Sequence, residues 1–214
     1  MNILIIGNGR MGKVMKNVAE RKGHTCLVVD IDNRNEAEEF NADVIIDFSS
    51  QSCLKENLEL AERKQTPIII ATTGHNGENL SLIDEYKSKI AIFLASNLSF
   101  LFSFMIKIAK LCKKDPELEH ILEETHHKHK KDIPSGSAKE IIKVLAANGI
   151  IPVVNSYRAG EVVGVHKLII YNGFESIEIK HEVLNREVFC EGALRACEFI
   201  SKKKSGVYNM DNLQ

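Results

Sequence analysis

No CxxC pair, no secretory h-region and no long hydrophobic run occur in this 214-residue sequence. Its five cysteines (Cys26, Cys53, Cys112, Cys190 and Cys197) are odd in number, so they outline neither a disulfide framework nor a thiolate metal site; they read as reduced thiols of a cytoplasmic protein. Met1–Ile6 is apolar but runs straight into glycines. The longest uncharged stretch, Ile90 to Ile106, is broken by Ser96, Asn97, Ser99 and Ser103. It reads as a buried strand followed by a buried helix, not as a membrane span. A net charge of −1 leaves no basic excess for nucleic acid. Internal repeats and low-complexity linkers are absent as well. What remains is 44% hydrophobic, ordinary for one globular unit or two small lobes. A chain of this length buries roughly 70% of its unfolded surface.

The N-terminal half alternates between strand and helix patterns. Asn2–Ile6 is a short β-branched run followed at once by Gly7-Asn8-Gly9-Arg10-Met11-Gly12, a GxGxxG pattern that opens a helix predicted from about Arg10 to Lys22. Gly7 allows the tight turn, Gly9 the approach of a pyrophosphate, and Gly12 close packing of helix on strand. A second apolar run, Thr25–Val29, ends in Asp30, about 20 residues on, where an acid binds the ribose hydroxyls of NAD. Asp32 competes for that role, and Arg34 or Arg10 could meet the 2′-phosphate of NADP. Two acids would repel that phosphate, so NADH is favoured over NADPH. Further strands are expected at Val44–Asp47, Pro67–Ala71 and Ile90–Ala95, with a helix from Ser52 to Lys64. These alternations imply an α/β, Rossmann-like parallel sheet whose ligands bind beyond the carboxyl ends of the strands. Asp47-Phe48-Ser49, Thr72-Thr73-Gly74 and Ser96-Asn97 would then share a rim with Gly7–Gly12.

The densest cluster of reactive side chains is Glu123–Ala138, in which every residue from His126 to Lys131 is His or Lys and a Pro134-Ser135-Gly136 turn follows. Ser137 with Glu140 fits a capping box opening a helix, which would aim the N–H groups of Gly136 and Ser137 at an anion beside imidazoles and ammonium groups. A pocket for a small carboxylate is one reading. A solvated basic surface is another. A metal site on His126, His127 and His129 is less favoured, since no cysteine is near and HExxH is missing. Beyond a helix from Ser99 to Lys113 the texture changes to strands at Glu119–Thr125, Val153–Arg158, Val162–Tyr171 and Glu175–Leu184, with a helix from Ser137 to Asn148 among them. This is a smaller α+β lobe with a mixed sheet. A last helix, about Cys190 to Lys203, returns to the first lobe.

The segments GNGRMG, DFS, ATTG, ASNLS, ETHHKHKKDIPSGSA, RAGEVVGVH and NREVFCEGALRA together resemble the dihydrodipicolinate reductase family over almost the whole chain. That resemblance implies a dinucleotide-binding domain at 1–98 and 187–214 and a substrate-binding and oligomerisation domain at 99–186, with Arg186 where the chain crosses back. It implies His126 and Lys130 as catalytic groups. Substrate contacts fall on His127, Ser135, Gly136, Ser137 and Thr73. Cofactor contacts fall on Gly7, Asn8, Gly9, Arg10, Met11, Gly12, Asp30, Ala71, Thr72, Thr73, Ala95, Ser96, Asn97 and Leu98. NADH or NADPH, no metal, a small dicarboxylate cyclic imine and a homotetramer complete the expectation, with no nucleic-acid or membrane partner. The chain departs from the family pattern in a shortened segment between Ala138 and Asn155, in Ser137 for the commoner Thr, and in Lys128 where Arg is common. Two rival readings are a reductase of the same cofactor fold acting on a different small acid or imine, and a non-catalytic NAD sensor, which would have no use for the His/Lys cluster.

Overall fold

The β-branched runs of the N-terminal half form strands, and the chain between them coils into helices. In a computed structural model that describes residues 1–213, these elements run β1 (Asn2–Ile6), α1 (Arg10–Arg21), β2 (Thr25–Val29), α2 (Glu36–Glu39), β3 (Val44–Asp47), α3 (Leu54–Lys64), β4 (Ile68–Ile70), α4 (Gly77–Tyr86) and β5 (Ala91–Leu94). The next stretch holds α5 (Phe100–Leu111), β6 (Glu119–His126), α6 (Gly136–Ala147), β7 (Val153–Arg158), β8 (Gly164–Tyr171) and β9 (Ser176–Val183); α7 (Glu187–Ile200) and β10 (Gly206–Tyr208) close the chain. Two units result: residues 1–98 with the chain from Glu187 onward, and Ser99–Arg186. No helix among the described residues is long and apolar enough to cross a membrane. The uncharged run from Ile90 to Ile106 is resolved into β5, a turn and the first half of α5.

The first unit carries a six-stranded sheet in the order β10-β5-β4-β3-β1-β2, parallel at every pairing. Both faces are covered, so the strands are continuously apolar: Ile3 to Ile6, Val44 to Ile46 and Ile68 to Ile70 are all buried. One face packs on Met15, Val18 and Ala19 of α1 and on Cys190, Ala193 and Cys197 of α7. The other packs on Leu54, Leu58 and Ala61 of α3 and on Ile83 and Tyr86 of α4. Full burial of one such aliphatic side chain stabilises by roughly 1.5–3 kcal/mol. Three elements were not expected from the sequence, the single-turn α2 among them. Helix α4 begins at a reciprocal pair, Asn76 accepting from the N–H of Asn79 at 2.9 Å while Asn79 accepts from that of Asn76 at 3.3 Å, a box written without Ser, Thr or Glu. Strand β10 has only three residues and pairs with β5 at the sheet edge.

The second unit is a four-stranded sheet in the order β7-β6-β8-β9, parallel between β6 and β7 and antiparallel elsewhere. Here burial alternates strictly along β6, the signature of a sheet covered on one face. That face receives α5 and α6, with Phe102, Met105, Ala109, Ile141 and Leu145 packed on Leu122 and Leu168.

Candidate active site

Alternation along β6 sends His120, Leu122, Glu124 and His126 to the covered face. Cross-strand register extends this row: Glu124 lies opposite His166 on β8, and His166 opposite His181 on β9. A polar row thus crosses an otherwise apolar core, and burial requires each member to be partnered. Glu124 is fully buried and accepts from His126 Nδ1 at 2.5 Å, from Arg158 Nη2 at 2.8 Å and from the Ser135 N–H at 3.3 Å. Burial alone would raise its pKa; hydrogen bonds from Arg158, Ser156 and His126 outweigh that and hold it below the usual carboxylate range. His126 is 7% exposed, and burial lowers its pKa despite the hydrogen bond and charge of Glu124. The pair is a carboxylate and a neutral imidazole.

His166 meets His126 edge-on at 5.2 Å between centroids and stacks on His181 at 6.0 Å; Phe102 packs against both at 5.5 and 5.4 Å. Its Nε2 lies 3.3 Å from Ser135 Oγ, and His181 Nε2 lies 3.2 Å from Ser99 Oγ. Burial, with the charges of His126 and His181, pulls His166 down to about 3. Gly164 leaves room beside the site: a Cβ there would stand 3.1 Å from His126 Nε2.

The loop after β6 hangs on Arg158. Its Nε donates to the Lys130 carbonyl at 3.3 Å and its Nη2 to the Asp132 carbonyl at 2.6 Å. Asp132 pairs with Lys130 Nζ at 2.7 Å through Oδ1 and accepts the Gly136 N–H at 3.2 Å through Oδ2. Burial would raise Asp132; Lys130 and these backbone donors outweigh it and lower its pKa.

The helix that follows corrects one expectation. Its N-cap is Ser135, whose Oγ accepts from the Ala138 N–H at 3.2 Å, rather than Ser137 with Glu140. Ser135 leaves the Pro134 turn in an extended conformation with its hydroxyl over the third helical N–H, so Gly136 and Ser137 fall inside the first turn. The predicted set His126, His127, Lys130, Ser135, Gly136 and Ser137 is therefore brought onto one strand end, one loop and one helix N-terminus. Glu124, His166 and His181 were not singled out: their roles depend on register across strands, which a one-dimensional pattern does not carry. Arg158, like Glu124 and His166, stood only inside a motif. No grouping of three or more His, Cys, Asp or Glu able to hold a metal occurs among the described residues.

In the first unit the level register Ile6–Val29, Ile6–Asp47, Asp47–Ile70 and Ile70–Leu94 brings the strand ends to one edge. Gly7–Gly12, Asp30, Ala71–Thr73 and Ala95–Leu98 all follow that edge. Gly7 has a positive φ of 108°, and a Cβ on Gly12 would run into the Gly7 carbonyl, whereas a Cβ on Gly9 would meet nothing within 4 Å. The N-terminus of α1 has no side-chain cap and no acid in its first turn. Open space over Gly9 in front of uncapped backbone N–H groups fits a dinucleotide pyrophosphate. Asp30 accepts from the Asp32 N–H at 3.0 Å, and Arg34 donates to the fully buried Asn57 at 2.5 Å. Thr73 and Ser96 are exposed on the rim, while Leu98 is a core residue.

Comparison with known proteins agrees with both units. Family models described as dihydrodipicolinate reductase, N-terminus and C-terminus match residues 1–98 and 98–213. A 4-hydroxy-tetrahydrodipicolinate reductase of Alkaliphilus oremlandii (strain OhILAs) is 34% identical over 238 aligned residues, covering 100% of this chain and 98% of that protein. One from Thermosipho africanus (strain TCF52B) is 33% identical over 215 residues, covering 100% and 97%. Among solved structures, dipicolinate-bound dihydrodipicolinate reductase from Paenisporosarcina sp. TG-14 shares the fold with a TM-score of 0.80 at 18% identity, covering 100% of this chain and 99% of that one. With both lobes, the rim and the His/Lys loop accounted for along its length, the chain belongs to the dihydrodipicolinate reductase family of NAD(P)H-dependent oxidoreductases.

Proposed function

We propose that the protein acts as a 4-hydroxy-tetrahydrodipicolinate reductase, forming tetrahydrodipicolinate in lysine and diaminopimelate biosynthesis, with its first unit holding the dinucleotide and its second the substrate. The observation that carries the reading is the Glu124–His126 pair beside Lys130 and the N-terminus of α6: a proton-delivering centre next to donors for carboxylates, in a chain matched end to end by the family. When bound, the reduced nicotinamide supplies a hydride to a carbon of the conjugated cyclic imine. His126 and Lys130 stand as the groups that deliver the proton required by the resulting anion. His127, Ser135, Gly136 and Ser137 hold the substrate. Their cationic neighbours and the helix dipole stabilise the carboxylates and the developing negative charge.

Gly7, Asn8, Gly9, Arg10, Met11 and Gly12 wrap the pyrophosphate, and Asp30 takes the ribose. Ala71, Thr72, Thr73, Ala95, Ser96, Asn97 and Leu98 line the rim by their main chain or short side chains. An acid at position 30 favours NADH. A cytoplasmic location is part of the same reading. Assembly as a homotetramer through the second unit is supported by the sheet face opposite the buried row. There Ile121, Val153 and Ile169 lie in register, with Val153 61% and Tyr157 50% exposed. Sedimentation velocity measures the association directly.

The test is a coupled assay with pyruvate, aspartate semialdehyde and the upstream synthase, following reduced nicotinamide absorbance with NADH and NADPH separately. Loss of absorbance that requires both proteins is the expected result. No loss, with reduced nicotinamide still bound by fluorescence, would sink the substrate and keep the cofactor lobe.

A further inference from the structure

Glu124 is half of the pair at the centre of the site, and it touches three of its elements. Its Oε2 faces His126 Nδ1 at 2.5 Å, while its Oε1 takes both Arg158 Nη2 at 2.8 Å and the Ser135 N–H at 3.3 Å. An ionised carboxylate only accepts hydrogen bonds, so Nδ1 must be the nitrogen that donates. From this geometry we infer that Glu124 is a positioning residue for proton delivery: it holds His126 with Nδ1–H toward the protein and leaves Nε2 to bind and release the proton. The inference rests on the reductase reading above.

The other charged and titratable groups facing the ring have different tasks. Arg158, on β7, spends its Nη2 on Glu124 and on the Asp132 carbonyl. Lys130, in the loop, is paired with Asp132 at 2.7 Å. His166, on β8, turns Nε2 to Ser135 and presents the edge of its ring to His126. On the Nε2 side the chain has Gly164. In the step itself the neutral Nδ1–H ring first takes a proton from water on Nε2; that Nε2–H bond then breaks as a C–H bond forms on the anionic ring carbon left by hydride addition. The product is a neutral imidazole that still donates Nδ1–H to Glu124. Because the same carboxylate fixes Ser135 at the N-cap of α6, the proton donor and the helix N-terminus are held in one frame.

The isosteric change Glu124→Gln gives an asymmetric prediction. Two donors converge on Oε1, so the amide places its oxygen there and turns its NH2 toward Nδ1. His126 must then accept at Nδ1 and carry its proton on Nε2, the wrong tautomer for uptake at that nitrogen. Long-range 1H–15N spectra of histidine-labelled protein, with the His126 signals assigned by their loss in His126→Gln, read both tautomers without a turnover measurement. Expected are an Nδ1–H ring in the wild type, an Nε2–H ring in Glu124→Gln, and a fall in kcat of about 10²-fold or more with KM much less affected, the size of a lost general acid. A wild-type ring in the Nε2–H form overturns the inference. So does a variant that keeps Nδ1–H, or one that flips yet turns over normally. Should Glu124→Gln fail to fold, the wild-type spectrum decides alone. A wild type without reductase activity counts against the proposed reaction and leaves the tautomer result standing.

Discussion

Arg158 on β7 reaches the main-chain oxygen of Asp132 at 2.6 Å while its other contacts hold Glu124 and the Lys130 carbonyl. One guanidinium thus sets the course of the loop that carries the proposed donors. A lysine has a single ammonium and cannot serve these acceptors in a planar fork. Arg158→Met should destabilise the second unit by about 3 kcal/mol, because it leaves the buried Glu124 without its cation. Urea unfolding measures that loss, and Arg158→Lys should recover only part of it.

Gly164 separates shape from chemistry. Alanine there costs the backbone no left-handed strain, but its Cβ would press on His126 Nε2 from 3.1 Å. Gly164→Ala should fold with nearly wild-type stability and lose most of its kcat. An alanine variant with wild-type turnover would count against Nε2 as the working nitrogen.

Acid should weaken the second unit well before its carboxylates titrate. His166 has a folded pKa of about 3 against 6.5 unfolded, so the unfolded chain binds more protons in between. Stability attributable to this residue is full above pH 6.5 and is lost as pH falls from there toward 3, at up to about 1.4 kcal/mol per pH unit. His181 and His126 shift in the same direction, chiefly through burial. Urea midpoints at pH 7 and pH 5 should differ markedly, and His166→Phe should narrow the difference.

The two helix-opening glycines should part company on substitution. Gly9→Ala enters open space at a φ of −74°, so the fold should stand while dinucleotide affinity drops. Gly12→Ala collides with the Gly7 carbonyl and should lower both stability and affinity. Thermal melts with and without NADH distinguish the two.

Much of this was legible in the sequence because it is local. The β1–α1 turn and the ends of β2 and β3 follow from short apolar runs bounded by glycine or acids. Helix α4 escaped because it is weakly amphipathic and capped by two asparagines, and β10 because three residues carry no periodicity. At the site, the residues on the loop were visible as a run, whereas Glu124, His166 and His181 became functional candidates only through strand register. Ser135 rather than Ser137 caps α6 since the turn after Pro134, not the Ser–Glu spacing, decides where the helix begins.

Phe102 lies against His166 and His181 on one side and belongs to the apolar cluster of α5 and α6 on the other. Thermal robustness and chemical competence therefore draw on the same aromatic wall. An evolving lineage cannot freely exchange this side chain for another of similar volume, because any shift in the ring is passed to the imidazoles behind it. Laboratory selection for heat tolerance alone should accept substitutions at Met105 or Ile141 well before it accepts any at Phe102.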